Sequence, residues 1–224
     1  LIRTTGLRPT DDVETYHDRI REAVVGKLDR ATRASRHLAL ALATERQRPD
    51  DLDALVMHFE GGGDTARAGE YALRAGDAAR AALAFERAAS FYRRAIAHLP
   101  ASRSRAERLR LKLADALANG GLSADAAIEF ERAAAEAEPA EALELRRRAA
   151  EQWLSSGRLD EGLNAIRAVL SHVGVRVPSS SVTAFGSILL HRAKLRLRGF
   201  DFVERSASDV APDALLRADA LWAA

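Results

Sequence analysis

The chain has 224 residues, 47% of them hydrophobic and 29% charged, which is enough apolar material for a packed core and argues against wholesale disorder. Lys+Arg 34 against Asp+Glu 32 leaves a formal charge of +2, so no large single-sign field steers the chain toward nucleic acid or a lipid surface. There is no Cys, which excludes disulfides, thiolate nucleophiles and Cys-ligated metals and suits a reducing cytoplasm.

The counts of 47 Ala and 29 Leu, with aromatics at 5%, favour helices and leave too few β-branched and aromatic residues to furnish sheets. The predicted class is all-α. Among basic residues, 31 are Arg and 3 are Lys. No apolar run approaches the roughly 18 residues of a membrane span, and no signal-peptide pattern opens the chain. Leu1 stands where an initiator Met would, so the sequence reads as part of a longer protein.

Residues 1–16 carry Ile2, Gly6, Pro9 and Val13-Glu14-Thr15, a pattern for a short β-hairpin feeding a helix that starts near His17. His17 reads as a capping or packing residue, with Asp18 and Glu22 as first-turn acids favoured by the helix dipole. Connecting helices fill 29–63 and end at Gly61-Gly62-Gly63, a helix stop rather than a phosphate cradle, because no Lys-Ser/Thr follows.

From 64 to 174 the apolar residues recur every three to four positions. The sets are Ala88, Phe91/Tyr92, Ala95/Ile96, Leu99; then Leu109, Leu113, Ala116/Leu117; then Ala126/Ala127, Phe130, Ala133/Ala134; then Leu145, Ala149, Trp153; and Leu163, Ile166, Leu170. Each set is one face of an amphipathic helix. Pro49, Pro100, Pro139, Pro178 and Pro212, with Gly120-Gly121, Gly157, Gly174 and Gly199, mark the breaks. Residues 175–224 read as C-terminal helices that continue or cap the array, with Ser179-Ser180-Ser181 as a linker and N-cap and Arg192–Arg198 as a basic helix end before Gly199.

The helix pairs resemble one another. Gly76, Ala88, Tyr92, Ala95 and Pro100 carry the small-small-aromatic-small-proline spacing of a tetratricopeptide repeat. Further copies align on Leu113, Gly121, Ala126, Phe130 and on Ala149, Trp153, Gly157, Ile166. The chain therefore resembles a tetratricopeptide-like antiparallel helix-hairpin superhelical solenoid, with Ala72, Arg110 and Arg146 where that family usually has Trp. The stretch His17-Asp18-Arg19-Ile20-Arg21-Glu22-Ala23, followed by His37-Leu38-Ala39, resembles the junction found in bacterial signal-transduction ATPases with numerous domains, the STAND class. There a winged-helix module ends and a repeat arm begins. The resemblance implies that 1–28 is the end of the winged helix. It also implies a parent protein often linked to a serine/threonine kinase, a cyclase or a DNA-binding domain.

Chemistry-bearing patterns are missing. There is no Walker-type glycine loop, no G-x-S-x-G, and the His residues at 17, 37, 58, 98, 172 and 191 never fall three to five apart on one helix. The expectation is a chain with no catalytic residues, no cofactor and no metal. The remaining candidate is the face of the first helix in each pair, which the repeat phasing lines with Asp77, Arg80, Arg108, Asp115, Asn119, Arg147 and Glu151. Such a mixed-charge groove suits a protein, a peptide or a neighbouring domain of the same chain. A DNA-linked regulator whose winged-helix remnant touches nucleic acid is the alternative, against which the near-neutral charge argues. Tyr92, Phe130 and Trp153 are expected to be buried between helices, and Arg80 and Arg147 to be exposed sites whose truncation costs less than about 0.5 kcal/mol.

Overall fold

The computed structural model describes residues 2–4, 13–15, 18–99, 103–172, 174, 175, 178, 180–199, 204–211, 214, 215 and 218. Its elements are β1 (Ile2–Thr4), β2 (Val13–Thr15), α1 (Asp18–Gly26), α2 (Arg30–Gln47), α3 (Leu52–Gly62), α4 (Thr65–Ala81), α5 (Phe85–His98), α6 (Arg103–Asn119), α7 (Ser123–Glu136), α8 (Pro139–Ser155), α9 (Leu159–His172) and α10 (Ser181–Arg198), with a 3-10 turn at Ala207–Asp209. The all-α helix-hairpin architecture expected from composition is what the chain adopts, and the N-terminal hairpin is present as an antiparallel pair, Ile2 opposite Thr15 and Thr4 opposite Val13. His17, Pro100 and the apolar residues of 219–224 lie outside the described residues.

The chain divides into two compact units, residues 1–78 with 93–100, and residues 79–92 with 101–224. In the first unit α1 follows the two-stranded ribbon and α2 packs on α3. Asp29 caps α2 by accepting the Thr32 N–H at 2.9 Å, and Asp51 caps α3 through the Ala54 N–H at 3.2 Å, each satisfying a donor that the first turn leaves open. Ala41, Leu55, Phe59 and Ala68 form the core. Phe59 stacks on Tyr71 with ring centroids 5.5 Å apart. Gly63 ends α3 in the left-handed conformation, φ 81°, so it alone of the glycine triplet is the stop, with Gly61 and Gly62 the last residues of the helix.

In the second unit α6 packs on α7, α7 on α8 and α8 on α9. The joining segments are two or three residues long, so a helix that returns along its predecessor must run antiparallel to it. Leu109, Leu113, Ala126, Ala127, Phe130, Leu145, Ala149, Ile166 and Leu170 are all buried, as their spacing requires. Leu163 departs from that pattern. It is 42% exposed, because Gly162 takes the close-approach position: a Cβ there would meet the Leu154 side chain at 2.5 Å.

Three hairpins of this unit turn by the same motif. Gly121 donates to Ala118 and Leu122 to Leu117, Gly157 to Leu154 and Arg158 to Trp153, and Leu83 to Arg80 and Ala84 to Ala79. The middle residue is left-handed in each, φ 76° at Gly121, 78° at Gly157 and 58° at Leu83. A side chain in that region costs about 1–2 kcal/mol, so the α4–α5 turn carries a strain that the glycine turns avoid.

α10 differs from the helices before it. Ser180 and Thr183 form a capping box at its start and Gly199 ends it, but it buries no residue of its own.

Candidate protein-binding face

The seven candidate residues divide between the units. Asp77 belongs to the first and is half-buried, and Arg80, exposed on the last turn of α4, belongs to the second. The other five lie on α6 and α8. Arg108, Asp115 and Asn119 are spaced four and seven residues apart on α6, which places them along one helical face. Arg147 and Glu151 are an i, i+4 pair on α8.

The structure joins these two helices through an ion pair between Arg148 and Asp115. Since α7 lies between them in sequence, this contact puts the first helices of successive hairpins side by side, as a repeat stack requires. The same Arg148 guanidinium sits 4.2 Å from the centre of the Phe130 ring, and the Lys112 ammonium 5.9 Å from that of Tyr92. Each is a cation from the first helix of one hairpin laid over the aromatic of the helix before it. Tyr92, Phe130 and Trp153 are all buried. The Trp153 indole N–H donates to Glu131 at 2.8 Å, which satisfies the one polar atom of that ring.

One expectation changes. Arg147 is no free surface group: its side chain is 17% exposed, and it bonds Glu144 at 2.6 Å and also Glu151, both on its own helix. The charges of Arg147 and Glu151 are thus satisfied within α8, and the cross-helix contact is made by Arg148. Asn119 is exposed, and its amide donates to the Asp115 carbonyl at 2.8 Å. Arg108 is exposed and is the most outward cation of the five. Arg148 and Lys112 escaped the sequence analysis although a signal existed. A cation followed three residues later by an acid recurs as Arg74/Asp77, Lys112/Asp115 and Arg148/Glu151, 38 and 36 residues apart.

On the other side of this unit Glu131, Ala135, Arg146, Ala165 and Ala168 line an open cleft of about 260 Å³. Arg146, which the repeat phasing put where tetratricopeptide repeats usually carry Trp, lines that cleft.

The first unit holds two polar clusters of its own. Tyr71 donates to Glu45 at 2.6 Å and Arg67 bonds the same carboxylate at 3.2 Å; burial, then Glu45, pushes the phenol above its usual range. Glu60 accepts two bonds from Arg94, at 2.8 and 2.6 Å, and contacts His98 Nε2 at 2.9 Å. The Arg94 hydrogen bonds hold the Glu60 carboxyl below its ordinary range.

Among the described residues no group of three or more His, Cys, Asp or Glu is placed to hold a metal ion. No helix among them is long and apolar enough to cross a membrane. No protein-family model matches the chain, and no curated protein matches it.

Proposed function

We propose that the chain is a non-catalytic, protein-binding repeat arm of a larger cytoplasmic signalling protein of the bacterial STAND ATPase class. The observation that carries this reading is the side-by-side placement of α6 and α8, joined through Arg148 and Asp115, with Arg108 and Asn119 exposed on the same α6 face. A row of adjacent first helices is the surface that helical repeats use to hold an extended segment or a domain. The helix α1 over Asp18–Gly26, directly after the two-stranded ribbon, supports the junction resemblance, in which such a helix ends the winged-helix module. The partner is a protein, a peptide or a neighbouring domain, and any nucleotide or phosphoryl chemistry of the parent is carried outside these residues.

The test uses the parent protein with a photo-crosslinking residue at position 108 or 119, and at Arg132 on α7 as the control. Crosslinks to a protein segment from 108 and 119, lost in Arg148→Glu and absent from 132, are expected. Equal crosslinking from all three positions would sink the groove. The 224-residue chain alone is also expected neither to bind nor to hydrolyse ATP. Micromolar ATP affinity by calorimetry, abolished by a substitution within the chain, would overturn the non-catalytic assignment.

A further inference from the structure

α3 carries two histidine contacts of opposite electrostatic sign, neither of which the proposed groove uses. Toward α2, His58 Nδ1 and His37 Nδ1 lie 3.0 Å apart in hydrogen-bond geometry, with ring centroids 5.3 Å apart and planes tilted by 47°. An Nδ1–Nδ1 contact needs one ring as donor and the other as acceptor. The facing nitrogens therefore hold one proton, and charging both rings would set two cationic N–H groups against each other.

The pair sits where the two helices touch most closely. A Cβ at Gly61 would meet the His37 ring at 2.6 Å, and one at Gly62 would meet the Leu38 backbone nitrogen at 3.1 Å. The glycines thus let α2 come down onto the α3 backbone, so the two half-buried rings face each other where the helices pack closely.

Toward α5 the sign reverses. His98 Nε2 faces the Glu60 carboxylate at 2.9 Å, so a proton on His98 adds an attractive pair.

The charged groups around the His37–His58 contact do not neutralise it. Asp51, at the start of α3, favours a charged His58, but burial first and His37 second outweigh it and hold that imidazole below its ordinary range. Glu45 of α2 is engaged by Arg67 and Tyr71 of α4, and Glu60 of α3 by Arg94 and His98 of α5.

We propose that α3 is an acid-responsive hinge in the first unit: protonation of both His37 and His58 opens its contact with α2, while protonation of His98 strengthens its contact with α5 through Glu60. Because the folded chain holds the His58 imidazole below its ordinary range, the contribution of that ring is complete above the unfolded value of 6.5 and is lost as the pH falls below it.

Amide hydrogen exchange on the 224-residue chain at pH 7.5 and 5.5, corrected for intrinsic rates, tests this. In the unaltered chain the protection of α2 is expected to fall by about tenfold on acidification, the equivalent of one pH unit of disfavoured proton uptake, while α5 keeps its protection. His37→Gln presents His58 with both a donor and an acceptor at every pH, so its acid loss of α2 protection should be clearly smaller than in the unaltered chain, the burial of His58 alone remaining. His98→Gln should leave the α2 loss in place and remove the acid retention in α5. If His37→Gln is loosened at both pH values, His58→Gln makes the same comparison from the other ring. An equal loss in the unaltered chain and in the glutamine variants of the pair, or no loss in the unaltered chain, overturns the hinge.

Discussion

α8 and α10 are close in length, 17 and 18 residues, and both mix Leu with Arg. α8 buries Ala142, Leu143, Leu145, Ala149, Ala150 and Trp153, whereas α10 buries nothing. The difference lies in what becomes of the charges. In α8 Arg146 projects within about 20° of Trp153, but Arg147 pairs with Glu144 and Glu151 on its own helix and Arg148 with Asp115 on α6. In α10 the first half offers Phe185, but Arg192 and Arg196, seven and eleven residues on, project within about 20° of the same direction. Helix propensity and capping form α10, while α8 buries its apolar residues between α7 and α9 with the neighbouring Arg147 and Arg148 paired.

The largest expected effect breaks the α8 side of this contrast. Phe130→Ala and Trp153→Ala should each lower unfolding stability by about 3–5 kcal/mol, as for other large buried aromatics. Tyr92→Ala should behave alike. Phe185→Ala should change it by less than about 0.5 kcal/mol, because its ring is already 64% exposed. Urea titrations of the four variants decide the matter, and a comparable loss for Phe185→Ala would show that α10 packs after all.

The packed side of this contrast was legible in sequence, whereas 175–224 was expected to continue or cap the array and α10 buries nothing. The apolar spacing of 88 to 170 and the three aromatics marked the packed stripes, the glycine positions marked the helix ends, and the ribbon at Ile2 and Val13 followed from β-branched residues around Gly6 and Pro9. The candidate face was less legible. Arg147 and Arg148 are adjacent in sequence but point about 100° apart, and phasing accurate to one residue is needed to tell which reaches α6. His37 and His58 are 21 residues apart and Glu60 and His98 are 38 apart, so no local spacing announces either contact. Only the packing of α2, α3 and α5 brings them together. The left-handed Leu83 was hidden for the opposite reason: nothing about a leucine signals a turn that its sister hairpins build with glycine.

Arg148 supplies the next largest effect. Its guanidinium is both paired with Asp115 and laid on Phe130, although its side chain is 35% exposed. Arg148→Ala should cost about 1–2 kcal/mol, combining a partly screened ion pair with a cation–π contact. A double-mutant cycle with Asp115→Ala should return a coupling of about 0.5–1 kcal/mol. Zero coupling would remove the ion pair as the link between α6 and α8. Arg147→Ala, once expected below about 0.5 kcal/mol, should now cost about 0.5–1 kcal/mol, since two carboxylates on its own helix lose their cation.

The turns provide the finest comparison, because three hairpins close with the same backbone geometry on different residues. Leu83 is 72% exposed, so replacing it removes little packing and mainly relieves the left-handed backbone. Leu83→Gly should therefore raise stability by about 0.5–1 kcal/mol, the relief of the left-handed side chain being partly offset by the greater freedom of glycine in the unfolded chain. Gly121→Ala and Gly157→Ala should lower it by about 1 kcal/mol, since neither site has a neighbour within 4 Å of an added Cβ and the penalty comes from the backbone alone. Opposite signs in thermal melts of the three variants would confirm that the hairpins share one turn. A destabilised Leu83→Gly would mean instead that the Leu83 side chain is held by a contact worth more than the strain it causes.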